Sequence, residues 1–172
     1  IGTEDVDRAI AISEAPGKPV TPKEAFYWKA VILKKQKRYD NALQYMNRAL
    51  ALQMQEKISP YTNPVTFLME IGRIYFDKKE YSTAVVNYQK ALRYAVQVKN
   101  SPEQAMCYHL IGQVRLAGKI FGDARANLEK SLEIARSVDD PLLLKDNYKL
   151  LSDLDAAMGN YKKAYGYYRL YS

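Results

Sequence analysis

Residues 65–95 read VTFLMEIGRIYFDKKEYSTAVVNYQKALRYA and hold two helical patterns divided by one charged break. Through Leu68, Ile71, Gly72 and Tyr75 the apolar and small residues recur at three- and four-residue steps, the period of an α-helix with one buried face. Lys78-Lys79-Glu80 interrupts the pattern, and Tyr81, Ala84, Tyr88 and Ala91 then resume it. Strand-like alternation is absent. The stretch predicts helix, turn, helix, with Gly72 and Ala84 kept small because two helices must approach closely there and a larger side chain would overpack the contact.

The same unit recurs along the chain. Ala42, Ala84, Ala124 and Ala164 are spaced by 42, 40 and 40 residues. A second register, Ala49-Leu50, Ala91-Leu92 and Ser131-Leu132, keeps steps of 42 and 40, with Ala9-Ile10 forty residues before the first. Each unit opens on a polar residue followed by proline: Thr21-Pro22, Asn63-Pro64, Ser101-Pro102 and Asp140-Pro141. A polar N-cap accepts a hydrogen bond from an orphan amide, and proline at the next position has no amide to leave unsatisfied, so each pair is expected to start a helix. Breaks at Lys37-Arg38, Lys78-Lys79-Glu80, Gly118-Lys119 and Gly159-Asn160 divide each unit into helices A and B. One domain over 1–172 follows, with repeats at 21–62, 63–100, 101–139 and 140–172, the last with a truncated helix B. Residues 1–20 are expected to form a partial repeat or capping helix, with Thr3 as its cap, and a linker at Ala15–Val20. Ser59–Asn63 is expected to be a second inter-repeat link.

These residues fall at the spacing of the tetratricopeptide repeat, W-x2-L-G-x2-Y followed by A-x3-F and a further small residue, and the second unit resembles that family closely. The third unit supplies Tyr108, Ile111, Gly112, Phe121, Ala124, Leu128 and Ser131, with Arg115 where the motif has tyrosine. The fourth supplies Tyr148, Leu151, Ser152, Tyr161, Ala164, Tyr168 and Tyr171, with Asp155 at that same tyrosine position. The first supplies Phe26, Ala30, Leu33, Tyr39, Ala42, Met46 and Ala49, with Lys29 where an apolar residue is usual. The resemblance implies an all-α fold, a right-handed superhelix (α-solenoid) of antiparallel helix pairs. The family's common repeat is about 34 residues, and the surplus here is expected around the end of helix B and the link to the next unit, with helix B running about one turn longer than usual. Long repeats of this kind resemble those of bacterial sensor kinases, Rap-type regulators, Pins-like scaffolds and kinesin light chains.

No catalytic constellation stands out. The single histidine, His109, and the single cysteine, Cys107, are two apart on one helix and do not face each other; a surface histidine beside a buried cysteine is expected. His109 has Gln113 at i+4, so no metal pair forms there. Neither an enzyme nor a cofactor or metal site is expected. The formal charge of +7 gathers most densely at Lys34-Lys35-Gln36-Lys37-Arg38, with pairs at Lys78-Lys79 and Lys162-Lys163. A basic rim of this kind keeps nucleic acid as a minor alternative partner. No apolar run approaches the roughly 20 residues that span a bilayer, and the opening residues carry no charged segment followed by an apolar block, so no secretion signal is expected within them.

In the family, partners lie in a concave groove lined by the A helices. Carried over position by position, the groove would take Tyr27, Trp28, Val31, Lys34 and Lys35 from the first repeat and Met69, Glu70, Arg73, Phe76 and Asp77 from the second. Met106, His109, Leu110, Gln113 and Leu116 come from the third, and Asp146, Lys149, Leu150 and Asp153 from the fourth. The asparagine with which cochaperones of the family grip a C-terminal carboxylate is replaced by Val31, Arg73, Gln113 and Asp153, so that mode is not expected. Aromatic residues and methionine mixed with both charge signs suit an amphipathic helix or extended peptide. The expected function is a non-enzymatic protein- or peptide-binding module, the sensing or scaffolding region of a larger bacterial signal-transduction protein. Residues 148–171 look similar to the last repeat of sensor histidine kinases, which would make the region extracytoplasmic (periplasmic); a cytoplasmic scaffold or peptide-sensing regulator is the alternative. In the fourth repeat Tyr161 and Tyr168 are expected in the core. Tyr171 is expected either to close the array or to meet a further domain beyond residue 172, and the aromatic edge at Tyr165 and Tyr167 could pair two copies into a homodimer.

Overall fold

A computed structural model describes residues 22–59 and 62–172. The expected partial repeat at 1–20, with Thr3 and the Ala15–Val20 linker, lies outside the described residues. Among the described residues eight helices follow one another: α1 (Pro22–Lys35), α2 (Tyr39–Gln53), α3 (Val65–Asp77), α4 (Tyr81–Gln97), α5 (Ser101–Ala117), α6 (Phe121–Ser137), α7 (Pro141–Ala157) and α8 (Tyr161–Tyr171). No strand occurs among the described residues. Odd-numbered helices are the A helices and even-numbered ones the B helices. Each A packs on its own B, each B packs on the next A, and α5 also touches α3 and α7. This is the expected all-α solenoid of antiparallel pairs.

Local chemistry sets the helix ends. Asp140 is an N-cap, its side chain accepting from the Leu143 amide, with Pro141 first in α7. The start of α5 differs from expectation by one residue: Asn100, not Ser101, caps it, accepting from the Glu103 amide. At α3 the cap position falls on Pro64, while Asn63 Oδ1 still accepts from the Val65 amide at 2.9 Å. The A-to-B turns put Lys37, Lys79, Lys119 and Gly159 in the left-handed region, with φ of 60°, 63°, 59° and 77°. A single left-handed residue ends a helix by letting the next amides bond back to its last carbonyls.

The surplus over the common repeat is shared between helix B and the start of the next helix A, so the expected link to the next unit is in part helical. The B helices α4 and α6 run 17 residues, and the A helices α5 and α7 also run 17 against 13 for α3. The extra turn of α5 and α7 precedes the motif, because Asn100 and Asp140 cap four residues earlier than the register requires.

The core is segmented by repeat, as in a solenoid. One cluster joins Ala30, Leu33, Ala42, Leu43 and Met46 to Ile71 and Ile74 of the next repeat. Another centres on Leu68, Ala84, Tyr88 and Ala91 with Cys107, Leu110, Ile111 and Val114. A third holds Ala124, Leu128 and Leu132 with Leu151 and Leu154. The close approaches fall where the sequence places them: a Cβ on Gly72 would lie 2.6 Å from Tyr88 Cδ1, and one on Gly112 would lie 2.7 Å from Leu128 Cγ. Lys29, at a usually apolar position, is nevertheless buried.

The expectation that Tyr161 and Tyr168 are core residues fails, since they are 73% and 48% exposed. Tyr88, the equivalent of Tyr168, fills the space above Gly72. In the fourth repeat Ser152 occupies the glycine position and its hydroxyl donates to the Ala164 carbonyl at 2.8 Å, so the ring has no such space to enter. Tyr168 instead stacks on Tyr165, with centroids 6.5 Å apart and planes 13° apart.

Candidate functional site

The stacked A helices bring part of the anticipated groove into one continuous strip. Tyr27 on α1 meets Phe67 on α3 edge to face at 5.8 Å, and Trp28 beside it is 58% exposed and edge-on to Tyr27 at 5.2 Å. One turn further along, Glu70 accepts from Lys34 Nζ at 2.7 Å and from Arg73, tying α1 to α3. Arg73 Nη2 then reaches Met106 Sδ on α5 at 4.0 Å. The strip therefore crosses three repeats.

Glu70 is the electrostatic centre of this strip. Burial pushes its carboxyl upward, but the hydrogen bond from Lys34 and the charge of Arg73 outweigh that and hold it below the usual glutamate range. A buried carboxylate flanked by two cations is compensated rather than reactive. Burial also raises the Tyr27 hydroxyl above the ordinary phenol range, aided by the Glu70 charge.

Between the third and fourth repeats lies a buried polar chain. Ser131 Oγ donates to the Ala105 carbonyl at 2.8 Å, and Asn147 Nδ2 donates to Ser131 Oγ at 2.9 Å. Asn147 must therefore present Oδ1 to His109, whose Nδ1 donates to it at 3.0 Å. The expected surface histidine is thus a buried one, 8% exposed. Burial lowers its pKa, against the opposing Asn147 bond and the Asp146 charge. Sequence reasoning flagged Ser131 only as a small residue and missed Asn147; the available signal was two polar residues at core register in adjacent units.

The remaining groove positions divide by exposure. Met69, Glu70, His109 and Leu110 are buried, so they stiffen the helix packing beneath the strip and offer no open surface. Val31, Phe76, Leu116 and Leu150 are half-buried against the core clusters, with Phe76 tilted against Tyr81 at 5.7 Å. Gln113 is half-buried, and Lys35, Asp77, Asp146, Lys149 and Asp153 are exposed and outside the contacts of the strip. Asp155, at the motif tyrosine position, is fully buried and accepts from Arg125 Nη2 on α6 at 2.7 Å.

Burial raises the Cys107 thiol to about 12, so it carries no thiolate at neutral pH. Among the described residues no cluster of histidine, cysteine and carboxylates could hold a metal ion, and no helix is long and apolar enough to cross a membrane. Two open clefts lie beside the B helices, and none of the anticipated groove residues lines either. One, of about 570 Å³, is walled by Leu50, Met54, Leu68 and Tyr94, and the other, of about 510 Å³, adjoins Tyr167 and Leu170.

Residues 65–137 match a family model described as tetratricopeptide repeat, and residues 23–55 match a second with the same description, together more than half of the chain. No curated protein matches the sequence. Among solved structures, the fold is similar to aspartyl phosphate phosphatase F from Bacillus subtilis, at 16% identity and TM-score 0.86 over 95% of this chain and 43% of that one. It is similar to the Rap conjugation gene regulator of plasmid pLS20 in complex with the Phr* peptide, at 17% identity and TM-score 0.81, covering 98% and 46%. A putative kinesin light chain from Podosopora anserina with nearly identical repeats aligns at 14% identity and TM-score 0.74, covering 98% and 83%. The chain thus spans less than half the length of these phosphatase and Rap structures.

Proposed function

Because the chain belongs to the tetratricopeptide repeat family, we propose that it binds a protein or peptide segment along the strip formed by its A helices and performs no chemistry of its own. The observation that carries this reading is the continuity of Trp28, Tyr27 and Phe67 with the Lys34–Glu70–Arg73 group. An exposed tryptophan beside ordered, partly desolvated charges is the composition of an interface anchor. An amphipathic helix or extended segment can set an apolar side chain against the aromatics and a polar one against Arg73. The Rap-type structure in complex with Phr* peptide supports a short peptide as the occupant.

Trp28 is the single tryptophan, so its fluorescence reports occupancy directly. Peptides that bind the chain are expected to shift Trp28 emission. They should lose about 2 kcal/mol or more of affinity in Trp28→Ala or Arg73→Ala, with helicity unchanged. Binding that survives both substitutions would move the site off this strip.

The module serves, in this reading, as the recognition region of a larger regulatory protein of the sensor histidine kinase type, outside the inner membrane. Support for that assignment is the similarity of residues 148–171 to the last repeat of such kinases. The alternative, a cytoplasmic peptide-sensing regulator, draws on the likeness to Rap folds. The reading frame that carries this segment decides between them: a membrane helix and kinase domain on the same polypeptide support the first, and their absence removes it.

A further inference from the structure

Three hydrogen bonds fix which nitrogen of His109 carries a proton. Ser131 has one hydroxyl hydrogen and gives it to the Ala105 carbonyl, so its Oγ accepts from Asn147 Nδ2. That leaves Asn147 Oδ1 facing the imidazole, and Nδ1 is the nitrogen that donates. In the neutral ring Nε2 is then an acceptor with a free lone pair. Two fully enclosed side-chain oxygens lack a partner among the described residues, Glu103 Oε2 and Asp155 Oδ2. Nε2 also has no partner and is not enclosed in that way, so this edge alone of a buried ring is reached from the groove.

Beside this acceptor stands a donor. Helices α3 and α5 touch, and Arg73 Nη2 lies 4.0 Å from Met106 Sδ, one turn before His109 on the same face of α5. Arg73 Nη1 is taken by Glu70, whose other oxygen takes Lys34, whereas Nη2 has only the thioether, a weak acceptor. The Arg73 side chain is 35% exposed. Arg73 from α3 and Asp146 from α7 are the charged groups that face the imidazole. Burial, with the Arg73 charge behind it, holds the ring below its ordinary range against the Asn147 bond and Asp146, so Nε2 stays bare at neutral pH. A carboxylate would set its lone pairs against Nε2 and Asp146, and an ammonium would meet Arg73. A primary carboxamide suits both, because its oxygen and one N–H point the same way, whereas a trans peptide group points them in opposite directions. We propose that Arg73 and His109 select one asparagine or glutamine side chain of the bound segment, Arg73 donating to its oxygen and His109 Nε2 accepting from its nitrogen. Ser131 and Asn147 are positioning residues for that selection. The proposal rests on the peptide-binding reading of the strip and adds the chemistry the peptide must bring.

The first measurement needs no ligand. His109 is the single histidine, so long-range proton–nitrogen correlation spectra of the whole chain carry one imidazole. They are expected to show Nδ1 protonated and Nε2 bare at neutral pH. Ser131→Ala frees Asn147 to rotate and should move the proton toward Nε2. A proton on Nε2 of the parent overturns the proposal. The second measurement selects peptides from a random heptapeptide library on the whole chain. Selected peptides should share asparagine or glutamine at one position. Replacing that residue by aspartate or leucine should weaken binding by about tenfold or more, the cost of leaving a desolvated polar group unpaired. His109→Leu and Ser131→Ala should each remove most of that discrimination while binding still depends on Trp28. Parent binding should also weaken as pH falls toward the folded His109 value, where Nε2 becomes a donor. Peptides that depend on Trp28 but share no asparagine or glutamine, or discrimination that survives both variants, overturn this proposal and leave the strip standing. No selected peptide, or binding indifferent to Trp28→Ala, overturns the strip and the selection together.

Discussion

Gly72 is small because Tyr88 is large. The ring lies where a Cβ would be, 2.6 Å from Cδ1, and Tyr88 is fully buried, so it has no open side to retreat into. Gly72→Ala is therefore expected to destabilise by about 1–3 kcal/mol, the usual cost of overpacking. The same substitution in a Tyr88→Val background should cost markedly less. Chemical denaturation of the four forms gives the coupling, and additive effects would show that the two residues do not share the space. His109 supplies a second residue-level outcome. Burial among α5 and α7, with Arg73 nearby, holds its imidazole below the usual range despite the Asn147 bond and Asp146. The unfolded chain then takes up a proton below about pH 6.5 that the folded chain resists. Stability is constant from this source above that pH and falls as pH drops toward the folded value, by at most about 1.4 kcal/mol per pH unit. His109→Gln should flatten the loss between pH 7.5 and 5.5 in urea midpoints. Glu70, whose carboxyl is held below its ordinary range, contributes stability that is lost only at lower pH, so it leaves this window undisturbed.

At the scale of elements, the first and third junctions between a B helix and the next A helix place different pairs at one register. Across the first junction the pair is Leu43 and Tyr75, both in one apolar cluster. Across the third, the same register holds Arg125 and Asp155, bonded at 2.7 Å. The sequence exposed Asp155 as a departure from the motif, but its compensation sits 30 residues away in another repeat and had no local signature. Arg125→Leu alone leaves a buried carboxylate with Oδ2 already lacking a partner, and breaking such a pair costs about 3–5 kcal/mol. Arg125→Leu with Asp155→Tyr rebuilds the first junction's pair and should recover most of that loss in thermal or denaturant melts. A double variant no more stable than Arg125→Leu would mean that the junctions are not equivalent. Helix boundaries follow the same division between local and remote causes. Proline and the small-residue spacing located every described helix. The one-residue shift at Asn100 and the extra turn on α5 and α7 arise because a cap can act from outside the motif's register.

For the molecule as a whole, a solenoid's stability is a sum over neighbours, so a helix is held in proportion to the faces that others cover. Small-residue contacts such as Gly72 with Tyr88 were legible because two independent spacings demanded them. The proposed strip was legible only in part: helical position put Trp28 and Arg73 on one line, but Leu110, at the position of Trp28, and Met69, at the position of Tyr27, turn into the core. Covering also depends on what stands opposite, which is why Tyr161 and Tyr168 read as core residues and yet lie open. This sets an order of opening. Helices α4 and α6 each bury five residues between two A helices, whereas α8 buries Ala164 alone. Native-state hydrogen exchange should therefore find α8 amides opening through local fluctuation, with free energies several kcal/mol below those of α4 and α6, which should approach the global value. Protection in α8 equal to that in α6 would mean that the open face at Tyr161 and Tyr168 is already covered in solution.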